Sequence, residues 1–130
     1  MSKHILLIED NEQNRYLATF LLERHDYRVE SAVNGPAGLT AAESAPPDLI
    51  LLDIQLPGMD GHAVARALRM KSALQRVPII AVTSYAMVGD RETVIAAGCD
   101  GYIEKPIDPD SFVATIEAIA GFPSSVRRPS

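Results

Sequence analysis

The sequence predicts an α/β fold, an open sandwich of three layers in which a parallel sheet lies between helices. Three observations predict it. Two short apolar runs, Ile5–Ile8 and Leu49–Leu52, show no polar alternation, which suits strands buried on both faces. Both runs stop at a carboxylate, the first at Glu9-Asp10 and the second at Asp53, as a buried strand does where its carboxy end reaches solvent. Strand-like and helical segments then alternate along the chain, five of each, and such alternation demands right-handed crossovers that cover both sheet faces.

The elements follow in order. After Ile5–Ile8, Asn11 or Asp10 can cap a helix over Glu12 to His25, with Tyr16, Leu17, Phe20 and Leu21 at helical spacing and Gln13, Arg15, Glu23 and Arg24 on the other side. Tyr27 to Val33 alternates in polarity, as a strand near a sheet edge does, and Asn34-Gly35-Pro36 breaks it. An Ala-rich helix over Ala37 to Ser44 is stopped by Pro46-Pro47 ahead of Leu49–Leu52.

The loop Gln55 to Asp60 leads to a helix with Val64, Ala67 and Leu68 on one face, running towards Met70. Pro78 opens the strand Ile79–Val82, which ends in Thr83-Ser84. A helix over Asp90 to Ala97 stops at Gly98, a residue suited to the left-handed position that ends helices, and Gly101 to Glu104 is the fifth strand. Lys105-Pro106 marks a sharp turn. Asp108 and Pro109 then supply an N-cap and first-turn proline for a last helix with Phe112, Val113, Ile116 and Ile119 on one face. Residues 1–121 read as one domain and 122–130 as a flexible C-terminal tail.

Composition narrows the function. A chain of 130 residues with 47% hydrophobic and 22% charged residues has the makeup of one globular domain. Twelve basic residues against 17 acidic ones give a net charge of −5, which disfavours any mode of binding that depends on neutralising nucleic-acid phosphates. A single cysteine, Cys99, excludes an intramolecular disulfide, and the opening Met-Ser-Lys-His lacks the apolar core of a signal peptide. No apolar run approaches the roughly 20 residues that cross a bilayer. A cytoplasmic protein with no membrane and no direct nucleic-acid partner is expected.

In open α/β sheets ligands bind beyond the carboxyl ends of the strands, near the switch in strand order. Those ends carry Glu9 and Asp10, Asp53, Thr83 with Ser84, and Lys105. Three acids gathered at one sheet edge repel each other, and a hard divalent cation with oxygen ligands resolves the repulsion. Magnesium fits better than zinc, which favours His or Cys. Mg²⁺ keeps several waters and bridges carboxylates to phosphate oxygens, so the cluster reads as a place for phosphoryl chemistry, with Lys105 as a mobile positive charge and Asp53, at its centre, as an aspartate nucleophile.

With these residues in view, the sequence closely resembles response-regulator receiver domains of two-component systems. The likeness rests on Ile8-Glu9-Asp10-Asn11, the run from Leu51 through Asp53 and Pro57 to Gly61, Ile80-Ala81-Val82-Thr83, and Lys105-Pro106, and it covers about residues 3 to 120. The wider texture around Asp10 and across Ser84 to Asp90 looks like single-domain regulators of the DivK type and like receivers fused to hybrid histidine kinases. The resemblance implies the (βα)5 flavodoxin-like sandwich with strand order 2-1-3-4-5. It implies that Asp53 is the phosphoacceptor, that Asp10, Asp53 and the backbone carbonyl of Gln55 hold Mg²⁺, and that Glu9 acts through metal-bound water.

By the same resemblance Lys105 contacts the phosphoryl group, Thr83 is the switch hydroxyl, Tyr102 is the aromatic residue that moves with it, and the Lys105-Pro106 bond is cis. The implied function is that of a phosphoacceptor response regulator in a phosphorelay, not an enzyme in its own right although it assists its own Mg²⁺-dependent phosphorylation and dephosphorylation. A sensor histidine kinase or a histidine phosphotransfer protein donates to it. It signals to downstream protein targets without an output domain, as a monomer or weak dimer.

Taken singly, these residues have plainer readings. Asp10 and Asp53 can each cap a helix or turn, Thr83 can satisfy nearby backbone, and Tyr102 can be a half-buried strand aromatic. His4, His25 and His62 have no metal-ligand spacing, and Cys99 reads as a small apolar residue. Gly58, Gly61, Gly89 and Gly98 suit turns and caps, since no glycine-rich phosphate loop follows the first strand. Three rivals stand beside the receiver: a haloacid-dehalogenase-type phosphatase, which needs a second acid where this chain has Gln55; a flavin-binding electron carrier, whose phosphate loop Asp10-Asn11-Glu12 would repel; and a degenerate receiver that serves as a scaffold.

Overall fold

A computed structural model describes residues 3–84 and 88–125. Tyr85, part of the Ser84 to Asp90 texture, lies outside them.

The strands are β1 (His4–Ile8), β2 (Arg28–Ala32), β3 (Leu49–Asp53), β4 (Ile79–Thr83) and β5 (Gly101–Glu104). They form one parallel sheet of order β2-β1-β3-β4-β5. The helices are α1 (Glu12–Glu23), α2 (Gly35–Ser44), α3 (Gly61–Arg69), α4 (Val88–Ala96) and α5 (Phe112–Ala120), with a short 3₁₀ turn at Ser72–Leu74. The three-layer sandwich expected from the alternation is the architecture observed.

Successive strand residues point to opposite faces, so the core is two apolar layers, one on each side of the sheet. Leu6, Ile8, Ile50, Leu52, Ile79 and Ala81 share one layer with Val64, Ala65 and Leu68 of α3. Ile5, Leu7, Leu49, Leu51 and Ile80 share the other with Ala18 and Leu22 of α1 and Phe112, Val113 and Ile116 of α5. Every residue of β3 and β4 is buried, which is why these runs show no polar alternation.

Several expectations are corrected. In α1 the inward residues are Ala18 and Leu22, with Leu17 and Leu21 partly buried; Tyr16 and Phe20, expected on the apolar face, are 73% and 46% exposed. The helix ends at Glu23, two residues before His25. The sequence Asn34-Gly35-Pro36 starts α2 as well as ending β2, because the Asn34 side chain accepts the Ala37 N–H at 2.8 Å and Pro36 sits in the first turn. In α3 it is Ala65, not Ala67, that is fully buried. Helix α4 starts at Val88, ahead of Asp90.

Asp108 does not cap the regular helix α5. Its carboxylate accepts the Asp110 N–H at 2.9 Å inside a preceding turn, and α5 begins at Phe112.

The amino-terminal end of the sheet is tied by long-range polar contacts. Arg69 donates to the carbonyls of Gly98, Leu74 and Val77 at 2.7–2.8 Å and pairs with Asp100, which in turn accepts the Ile79 N–H. Gly98, with φ of +116°, follows α4 as the sequence suggests and lies close to the Arg69 side chain. On the other layer, buried Glu117 accepts from the Tyr27 hydroxyl at 2.5 Å and from the Ser125 N–H, and Phe122 stacks on Tyr27 at 6.2 Å. Residues 122–125 thus pack on the sandwich.

Candidate functional site

Five loops meet at the carboxyl edge of the sheet, and the order β2-β1-β3-β4-β5 puts the ends of β1, β3, β4 and β5 side by side. Asp53 is the last residue of the central strand β3 and is 2% exposed. Glu9, also 2% exposed, follows β1, whereas Asp10 beside it is exposed. One carboxylate oxygen from each of Glu9, Asp10 and Asp53 lies within 4.8 Å of the others, and among the described residues this is the one cluster of its kind.

Local structure explains why these carboxylates face one another. The cap of α1 is Asn11, whose side chain accepts the Asn14 N–H at 2.9 Å, so the capping duty that Asp10 was a candidate for is met by its neighbour. Arg15, one turn into α1, donates to the backbone carbonyls of Glu9 and Asp10 at 3.1 and 2.8 Å and fixes the bend after β1. Gly61 is the first residue of α3, and a Cβ there would stand 2.4 Å from the Ile54 Cα and 2.8 Å from the Asp53 carbonyl. The loop after Asp53 closes this tightly because position 61 has no side chain.

Lys105 spans the gap from β5. After a cis Lys105-Pro106 bond, its Nζ lies 3.1 Å from Glu9 Oε1 and 3.3 Å from Asp53 Oδ2. The Lys105 side chain is 13% exposed and its ammonium faces two carboxylates nearly closed off from water, where a charge pair is screened far less than at a surface. The other Asp53 oxygen accepts the Gln55 N–H at 2.9 Å.

The electrostatics separate the two buried acids. Burial, a hydrogen bond with Asp53 and repulsion from its charge push Glu9 up to about 7, an effect Lys105 only partly offsets. Burial acts on Asp53 in the same direction, but the hydrogen bonds from Glu9 and the Gln55 N–H, with the Lys105 ammonium, outweigh it and hold this carboxyl below its usual range. Below about pH 7 and without a metal, a proton on Glu9 faces an ionised Asp53. An all-oxygen set of three carboxylates beside a backbone carbonyl suits a hard cation such as Mg²⁺, which would displace that proton.

Thr83 closes β4 and is 2% exposed, and its backbone carbonyl accepts the Lys105 N–H at 2.8 Å. The Gln55 side chain accepts the Ser84 N–H at 3.1 Å and joins the loops after β3 and β4, a contact that sequence position alone does not reveal. Tyr102 is half-buried in β5, with the Arg91 guanidinium of α4 4.9 Å from its ring centre. The histidines stay out of the acidic cluster: His4 pairs with Glu30, His25 contacts Ser125 and His62 contacts Asp60. Cys99 is buried, which pushes its thiol up to about 11 and leaves it a small core residue.

Residues 5–117 match the response regulator receiver domain as a family. This chain belongs to the receiver family. The receiver domain is 41% identical over 121 residues to the polar-differentiation response regulator DivK of Brucella anthropi, covering 93% of this chain and 98% of that protein. Among solved structures it is similar to the receiver domain of a sensor histidine kinase from Pseudomonas aeruginosa, which has a magnesium ion coordinated in its active-site cleft: 35% identity, TM-score 0.85, 93% of this chain and 99% of that one. It is also similar to a chemotaxis response regulator of Vibrio cholerae, at 27% identity and TM-score 0.88, over 92% of this chain and 99% of that one. The phosphatase and electron-carrier families weighed from the sequence give way to this one. No helix among the described residues is long and apolar enough to cross a membrane.

Proposed function

We propose that this receiver domain is a phosphoacceptor of a two-component phosphorelay, modified on Asp53 by a phosphohistidine of a sensor histidine kinase or histidine phosphotransfer protein. The observation that carries the reading is the Lys105 ammonium held at 3.3 Å from a buried, ionised Asp53 at the end of the central strand. A carboxylate kept below its usual pKa and dehydrated on one side is a nucleophile at neutral pH.

In the transfer, an Asp53 oxygen forms a bond to phosphorus as the bond from phosphorus to the donor's imidazole nitrogen breaks, and the imidazole leaves. Lys105 offsets charge on the phosphoryl oxygens, and the Gln55 N–H holds the carboxylate oriented. Asp10, Asp53 and the Gln55 carbonyl would hold Mg²⁺, with Glu9 acting through its water. Bound Mg²⁺ supplies the positive charge that lets the phosphoryl oxygens enter an acidic site. The domain is not an enzyme acting on a separate substrate; it assists its own Mg²⁺-dependent phosphorylation and dephosphorylation.

Phosphorylation adds about −1.5 to −2 charges and three acceptor oxygens beside Lys105 and Thr83. Thr83 is the switch hydroxyl that turns to this new acceptor, and Tyr102 follows it, changing the face shared by α4, β5 and α5. A contact available only in the modified state is what shifts the population. The output is a choice of protein partner, in keeping with the net charge of −5, and the reactions take place in the cytoplasm.

The test is incubation with a radiolabelled small phosphodonor and Mg²⁺. Acid-stable, base-labile and Mg²⁺-dependent label is expected on the unaltered protein and none on Asp53→Asn. Label that persists on Asp53→Asn overturns the assignment, and a folded protein that takes no label is a scaffold instead. Thr83→Ala is expected to keep the label and lose the response of a partner.

A further inference from the structure

We infer that the outward face of α1 docks a second copy of this chain, the two helices antiparallel about a twofold axis. The fold leaves two aromatic residues of α1 outside. Tyr16 and Phe20 are 73% and 46% exposed and stack on each other with ring centres 6.3 Å apart and planes 11° from parallel. They flank a groove lined by Glu12, Arg15, Thr19 and Glu23. Two stacked aromatic rings held towards water on the far side of a helix from its core contribute nothing to the packing of the sandwich.

The sequence of this face identifies the occupant. Residues four apart on a helix form one ridge, and the ridge here reads Glu12, Tyr16, Phe20, Arg24: acid, aromatic, aromatic, base. The ridge is about 18 Å long. Glu12 and Arg24 lie equally far from the level of Ala18 along the axis, and so do Tyr16 and Phe20. When the ridge is turned end for end and laid against itself, Glu12 meets Arg24 of the copy, Tyr16 meets Phe20, and each contact occurs twice, as an isologous interface requires.

The flanking pair obeys the same symmetry, since Gln13 and Glu23 are exposed and centred on the same level, placing an amide against a carboxylate. The side chains are also pre-arranged. Arg24 lies over the Phe20 ring at 5.6 Å, so the cation already borders the aromatic pair. Arg15 is drawn inward to the carbonyls of Glu9 and Asp10, which removes a positive charge from the middle of the face. Along the ridge itself the two end charges, Glu12 and Arg24, are opposite in sign, and the middle is aromatic. A different partner would need its own complement to this order, whereas a second copy carries it. One helix face is small for an interface, so the association is weak and reversible.

Sedimentation velocity from about 10 µM to 1 mM protein tests the proposal, a range suited to small interfaces. The unaltered chain is expected to move from monomer towards dimer across this range. Glu12→Arg and Arg24→Glu each place like charges opposite one another twice and are expected to weaken association at least about tenfold. Mixing the two variants in equal amounts makes both cross pairs opposite in sign, and association is expected to return to within about threefold of the unaltered protein. Tyr16→Ser, which changes no charge at a helix end, is expected to weaken association as the single charge variants do. A chain that stays monomeric throughout overturns the proposal. So does a dimer that these variants leave intact, or a mixture of folded variants that fails to associate.

Discussion

Gln55 Oε1 accepts the backbone N–H of Ser84 at 3.1 Å, so a side chain two residues after Asp53 holds the residue that follows Thr83. The bond ties the loops after β3 and β4 across the site at the level where a group attached to Asp53 would stand. Its position makes it a structural reporter for both loops.

Gln55→Ala leaves that N–H without its acceptor. Because Ser84 is exposed, water replaces the carboxamide, and the cost to folding is expected to stay below about 1 kcal/mol. The Ser84 amide proton is expected to exchange faster and to shift its resonance, both read by NMR. An unchanged Ser84 amide in the variant contradicts the contact.

Lys105→Ala removes the cation from two carboxylates that are 2–3% exposed at the side chain. Leaving buried charge unpaired costs several kcal/mol unless a proton neutralises it, so the loss depends on pH. A drop of about 2–3 kcal/mol in unfolding free energy is expected at pH 8 without metal, and a smaller one at pH 5, where Glu9 is protonated. Denaturant titrations at the two pH values check this, and an equal loss at both contradicts the shared electrostatics.

The elevated Glu9 pKa fixes a sign. Since the group sits at about 7 in the fold against an ordinary 4.5, its contribution to metal-free stability is fully present below 4.5 and is lost as pH rises towards 7. The depressed Asp53 acts in the opposite sense: its contribution is present above its ordinary value of 3.8 and is lost as pH falls into the acid range below it. Mg²⁺ binding must release the Glu9 proton, so apparent affinity is expected to rise by up to about tenfold per pH unit below 7 and to level off above it. Calorimetric titration with MgCl₂ from pH 5.5 to 8.5 reads this slope. Glu9→Gln is expected to flatten it.

Gly61→Ala forces a Cβ to within 2.4 Å of the Ile54 backbone, and no flexible side chain is there to yield. A loss of about 2–3 kcal/mol is expected from thermal or chemical unfolding, within the range for forcing extra atoms into a close-packed site. The displaced loop carries Gln55, so Mg²⁺ affinity is expected to fall with it. A variant as stable as the parent contradicts the close approach.

The fold was legible because its strongest signals are local. Ile5–Ile8, Leu49–Leu52 and Ile79–Val82 declare themselves as buried strands by unbroken apolar runs, and each leads directly to a site residue. The acids and Lys105 were legible because sheet topology fixes where strand ends meet. What sequence reading missed depends on distance. Glu117 lies among apolar neighbours of α5, and its partner Tyr27 is 90 residues away. Arg69 binds carbonyls, which leave no side-chain signature.

Aromatic residues at helical spacing read as core, which puts Tyr16 and Phe20 inward in a sequence-based expectation. Ala18 and Leu22 form the inner stripe instead, and only the packing of α1 on the sheet distinguishes the two faces. Asp108 and Pro109 resemble a capped helix start in sequence, but the bonds that Asp108 accepts close a turn ahead of α5.

Asp53 itself forms the bond to phosphorus in the proposed transfer. The most direct measurement is to treat the protein with a small phosphodonor and Mg²⁺, reduce it with borohydride, and map the product by peptide mass spectrometry. Reduction of an aspartyl phosphate leaves homoserine, and this account predicts homoserine at position 53 and only when Mg²⁺ was present. Homoserine at Asp10 or at another acid, or an unreduced Asp53 in protein that demonstrably carries phosphate, contradicts it.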